Sequence, residues 1–98
     1  MPNITFTVTT DVIIKRLELD EYDHYVPVQL NGGVGHAQLA SGYEGVAILY
    51  LRGNQGQKAK LKITQQVGAE TVTLAERTGI RITSAGGQSV SYVAFQVR

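Results

Sequence analysis

The chain has no cysteine and no tryptophan. Without thiols there is no disulfide framework, no thiolate zinc site, no redox pair and no cysteine nucleophile. Without tryptophan, the strongest aromatic platform for stacking on a sugar ring is missing. Charge is scarce as well. Asp, Glu, Lys and Arg make up 17% of the residues, and the formal net charge is +1. That balance produces no overall field to gather nucleic acid or an anionic membrane surface. It also argues against disorder, which goes with high charge and few β-branched residues. Apolar runs are short. The longest, Val46 to Leu51, falls far below the roughly 20 residues that a membrane-spanning helix needs. The opening residues, Met1 to Val8, show no basic segment followed by an apolar block. No signal peptide is therefore expected, which leaves a cytoplasmic protein or a mature domain without its leader.

What the chain does have is alternation. In Lys58-Ala59-Lys60-Leu61-Lys62-Ile63-Thr64, apolar and polar residues change places at every step. Successive side chains of a β-strand leave opposite faces, so this pattern suits a strand with one wet face. Ile4, Phe6 and Val8 alternate with Thr5, Thr7 and Thr9 in the same way. Further strands are expected over Val12–Leu19 (with a short helical turn as the rival), Tyr25–Leu30, Val34–Leu39, Gly45–Leu51, Thr71–Ala75, Ile80–Thr83 and Ser89–Val97. Pro27 cannot donate to a ladder, so its strand should lie at an edge or carry a bulge. The unbroken apolar row from Val46 to Leu51 predicts a central strand covered on both faces. Thr10-Asp11, Asn31-Gly32-Gly33, Ser41-Gly42, Val67–Glu70 and Glu76–Gly79 read as turns. Arg52–Gly56, a five-residue Gly-containing connection between two strand patterns, reads as a hairpin.

Residues 1–98 suit one domain. Strands recur at about 8–12 residues, which predicts about seven to nine of them in a sandwich or barrel. The short connections require antiparallel pairing, because parallel strands need long crossovers. The expected fold is thus an all-β, single-domain antiparallel β-sandwich. Over roughly residues 42–64, a Gly-Tyr turn, an apolar strand, a Gly-rich hairpin and a strand ending in Ile63-Thr64 resemble immunoglobulin-like or jelly-roll modules. The resemblance concerns architecture. The Cys-Trp-Cys signature of true immunoglobulin domains is absent.

Candidate chemistry is sparse. Asp20, Glu21 and Asp23 lie in an apparent polar connection, where converging carboxylates could hold calcium. They lack the Asp-x-Asp-x-Asn-Gly rhythm of a dedicated calcium loop, and a solvated acidic loop is the plain alternative. Tyr22, Tyr25 and Tyr43 sit beside turns, where ligand-binding residues collect. With Asp23 they form the candidate ligand-binding set. Tyr50 and Tyr92 read instead as packing residues. His24 is expected in a polar loop and His36 on a wet strand face, neither in metal-type spacing. Ser41, Ser84, Ser89 and Ser91 supply hydroxyls, but no Gly-x-Ser-x-Gly elbow holds one. Asn31-Gly32-Gly33-Val34-Gly35 lacks the Lys-Ser/Thr and the helix N-terminus of a phosphate loop. Arg52, Lys58, Lys60 and Lys62 form a basic stripe with Tyr50 nearby in sequence, and lysines on a wet strand face commonly discourage edge pairing.

The composite expectation is a non-catalytic binding or assembly module acting through protein–protein contacts or self-association. The edge strand containing Pro27, or the amino-terminal strand, would offer backbone for pairing. A carbohydrate- or calcium-dependent ligand-binding module is the alternative, and a small hydrolase comes third. No cofactor is expected apart from calcium under the alternative, and neither nucleic acid binding nor membrane insertion is expected.

Overall fold

The computed structural model describes residues 1–21, 24–83 and 86–98. Eight strands follow one another: β1 (Asn3–Thr10), β2 (Ile13–Glu21), β3 (His24–Val28), β4 (Val34–Gln38), β5 (Glu44–Arg52), β6 (Lys58–Val67), β7 (Glu70–Arg81) and β8 (Gln88–Gln96). They form two four-stranded sheets, ordered β4-β1-β6-β7 and β3-β2-β5-β8. Every pairing is antiparallel. This is the antiparallel β-sandwich that the alternation implies.

The path through the two layers is that of two folded hairpins. β1 and β2 form one long arm and β3 and β4 the returning arm, because β2 pairs with β3 and β1 with β4. The second hairpin repeats the scheme, with β6 paired to β7 and β5 to β8. Each arm bends midway and so contributes one strand to each sheet. Pairing of β1 with β6 and of β2 with β5 joins the hairpins at the centre of both layers. Specific bonds fix the bends. The Thr10 hydroxyl donates to the Lys58 carbonyl at 2.9 Å and accepts from the Val12 N–H at 3.1 Å, which pins the corner at Asp11. At the matching place in the second hairpin, the Gly53 N–H donates to the Gly87 carbonyl at 2.8 Å.

Between the layers lies one apolar cluster. Ile4, Phe6, Leu61 and Ile63 enter it from the first sheet, and Leu17, Leu19, Leu49 and Phe95 from the second. Phe6 meets Phe95 edge-on across the layers, with ring centroids 5.8 Å apart at 83°. A large apolar side chain that is fully buried contributes about 1.5–3 kcal/mol, so these rows outweigh any single polar contact in the molecule.

Four sequence expectations change. Arg52–Gly56 does not close a hairpin, because β5 and β6 fall in different sheets and the chain bends there from one layer to the other. Thr71–Ala75 and Ile80–Thr83 do not form separate strands, because β7 runs through Glu76–Gly79 without turning. Ile80 pairs with Ala59 and Arg77 with Leu61, which leaves Thr78 and Gly79 opposite Lys60 alone. Gly79, at φ 72°, supplies a bulge where its sequence signal suggested a turn. The amino-terminal strand is not an edge but lies between β4 and β6. The polar connection shrinks, since Asp20 and Glu21 are ladder residues paired with Tyr25 and His24. The strand expected over Val12–Leu19 is present, with Ile13–Leu19 in β2, and its helical-turn rival is not. Pro27 does lie in an edge strand, and β5 is interior as its apolar run predicts. Among the described residues no helix is long and apolar enough to cross a membrane.

Candidate functional site

The two outward faces of the sandwich differ in chemistry. The face of β4-β1-β6-β7 carries Thr5, Thr7 and Thr9 beside Lys60, Lys62 and Thr64, with Glu76 opposite Lys62. His36 belongs to this face, and its Nδ1 lies 3.1 Å from the Thr5 hydroxyl. It is an ordinary solvated sheet surface.

The outward face of β3-β2-β5-β8 is apolar and aromatic along two of its strands. Its cross-strand rows read Arg16–Tyr50–Val90, Pro27–Glu18–Ile48–Tyr92 and Tyr25–Asp20–Val46–Ala94. Tyr25 is 60% exposed, Tyr92 58% and Val90 45%. Ile48, at the centre of the face, is only 3% exposed although it lies outside the main cluster. Its cross-strand neighbours are Glu18 on β2 and Tyr92 on β8.

A local polar network orders part of this face. The Arg16 guanidinium carbon lies 4.1 Å from the Tyr50 ring centroid. Its Nε reaches a Glu18 oxygen at 2.8 Å, and the Tyr50 hydroxyl donates to the other Glu18 oxygen at 3.4 Å. The Tyr50 hydroxyl, ahead of the Glu18 charge, holds Arg16 above its ordinary value. Arg16 is a fixed cation here and takes no part in proton transfer. Tyr50 is half-buried within this network, whereas Tyr92 and Val90 are exposed.

Tyr25 and Tyr43 do not come together. Tyr25 rises from the outward face opposite Asp20. Tyr43 lies on the inner side, where its ring packs 5.9 Å from Phe95 and is half-buried. The other two members of that set, Tyr22 and Asp23, lie outside the described residues. Of the calcium candidates, Asp20 projects from the outward face of β2 and Glu21 is its final ladder residue, while Asp23 lies outside the described residues. No group of three potential metal-ligating side chains occurs among the described residues. An open cleft of about 920 Å³ runs past Asp20, Tyr43, Gly45, Val46, Leu74 and Phe95. Beside it, the Tyr43 ring occupies the space that a side chain on Gly45 would need.

The basic stripe is divided between surfaces. Lys58, Lys60 and Lys62 belong to the first sheet, and Arg52 and Tyr50 to the second. Tyr50 therefore cannot serve as a stacking platform beside those lysines. Tyr92, read from sequence as a packing residue, is exposed. The signal was present in the row Val93, Phe95, Val97, all three of which are buried. A strand with that inward row must turn Val90, Tyr92 and Ala94 outward. Compared with known proteins, the chain matches no family model, no curated protein and no solved structure.

Proposed function

We propose that the protein is a non-catalytic binding or assembly module whose contact surface is the outward face of β3-β2-β5-β8. One observation carries this reading. The exposed Val90 and Tyr92 stand on that face beside Ile48 and Tyr50, with Tyr25 exposed on its other edge strand, while the opposite face carries threonine and lysine. Interfaces are enriched in tyrosine and arginine and depleted in lysine relative to the rest of a surface. Tyrosine also brings large contact area at low entropic cost, and Arg16 stacked on Tyr50 pre-orders a typical anchor pair.

Site-specific photocrosslinking tests this. A benzophenone side chain is placed at Tyr92 in one variant and at Thr7, on the opposite face, in another. Illumination in expressing cells should give a defined protein adduct from position 92 and none from position 7. Equal labelling from both positions, or none from 92, contradicts the proposal.

A further inference from the structure

We infer that β8 is a pairing edge, and that its partner is β8 of a second copy in antiparallel register centred on Tyr92. The inference rests on the binding-module reading and names the partner. It begins from the four sheet edges, which are not alike. β3 has five residues and contains Pro27, and β4 also has only five. β7 is long but has two register breaks against β6 and carries Glu70, Glu76, Arg77 and Arg81. Short length, proline, bulges and charge are the means by which sheet edges avoid pairing. β8 has none of them. It runs nine residues, Gln88–Gln96, with no charge and no proline, in unbroken register with β5.

The direction of its backbone groups follows from two bonds at Val97. The Val97 N–H donates to the Tyr43 carbonyl at 2.8 Å, and the Val97 carbonyl accepts from the Gly42 N–H at 2.9 Å. Val97 therefore faces the β5 side. In an antiparallel ladder this direction alternates. Phe95, Val93, Ser91 and Ser89 then turn toward β5, while Gln96, Ala94, Tyr92, Val90 and Gln88 turn their N–H and C=O groups to the open edge. These same residues carry the outward side chains, so one strand offers a ladder and an apolar row together.

A second copy fits that edge. With Tyr92 opposite Tyr92, Val90 meets Ala94 and Gln88 meets Gln96, and no like charges oppose one another along the ladder. The product is a closed pair, because the remaining edges are the protected ones. It joins the two tyrosine-bearing faces into one eight-stranded surface.

Sedimentation of the wild-type chain over a wide concentration range tests this, with Tyr92→Lys, Tyr92→Glu and Ala94→Pro as variants. Circular dichroism confirms that each variant is folded. The wild type should form a dimer. Tyr92→Lys and Tyr92→Glu should each raise the dissociation constant by roughly tenfold or more, since like charges then stand directly opposite. An equimolar mixture of these two should regain the dimer. Ala94→Pro removes an edge donor without taking a bond from β5, and should also be monomeric. A wild type that stays monomeric at every concentration overturns the self-pairing, while a crosslinked foreign protein at position 92 would still uphold the contact face. A dimer that survives both Tyr92 charges overturns the pairing register and the inference with it.

Discussion

Gln65 and Arg98 clasp each other by two hydrogen bonds. The Arg98 N–H donates to the Gln65 Oε1 at 2.9 Å, and the Gln65 Nε2 donates to the Arg98 carbonyl at 3.1 Å. Gln65 continues the inward row of Ala59, Leu61 and Ile63, and is 4% exposed. Among the described residues it is the buried polar side chain, and its amide ties β6 of one sheet to the chain leaving β8 of the other. Gln65→Leu keeps the volume and removes both bonds. It should cost about 1 kcal/mol in urea unfolding and speed exchange of the Arg98 amide. Unchanged exchange would mean that the clasp is not maintained in solution.

Gly33 and Gly32 form a controlled pair at the Asn31–Val34 turn. Both have positive φ, 60° at Gly32 and 83° at Gly33. A β-carbon on Gly32 would meet nothing within 4 Å, whereas one on Gly33 would stand 2.5 Å from the Val8 carbonyl oxygen. The Val8 N–H also donates to the Gly33 carbonyl at 2.7 Å, so the two backbones cannot separate freely. Gly32→Ala should cost the left-handed penalty of about 1–2 kcal/mol. Gly33→Ala should cost clearly more, because a bend between the sheets must also open. Equal midpoints in denaturant would show that this close approach carries no energy.

Calcium and sugars give a third prediction. If the face is a protein-binding surface, calcium, a chelator and a panel of mono- and oligosaccharides should leave the melting temperature unmoved. A ligand at 100 times its dissociation constant adds about 2.7 kcal/mol, which a domain of this size reports as several degrees. A calcium- or sugar-dependent rise of that size would transfer the function to the Asp20–Tyr25 end of the β2–β3 hairpin.

Much of the fold could be read from the alternation, for a physical reason. A period of two against a buried layer leaves little freedom in which residues turn inward, and Ile4, Phe6, Val8, Leu61 and Ile63 are buried as read. Pro27 marked an edge because it lacks a donor. Gly79 misled because a bulge and a turn ask the same positive φ of glycine. The face was harder to read, since it depends on which strands become neighbours. Tyr50 precedes the Lys58–Lys62 strand by a few residues, yet the bend at Gly53–Gln57 sends the two to opposite surfaces. Tyr92 and Val90 join Tyr50 and Ile48 only because β8 returns beside β5, and that order is set by long-range pairing that no local pattern records.

Amide hydrogen exchange along β8, measured in dilute and in concentrated protein, tests the central claim most directly. The Val90, Tyr92 and Ala94 amides face the open edge, so they should exchange quickly when dilute and slow markedly on concentration. Ser91 and Val93, already bonded to β5, should stay slow throughout. Equally fast exchange at Val90, Tyr92 and Ala94 in dilute and concentrated samples would contradict pairing through β8.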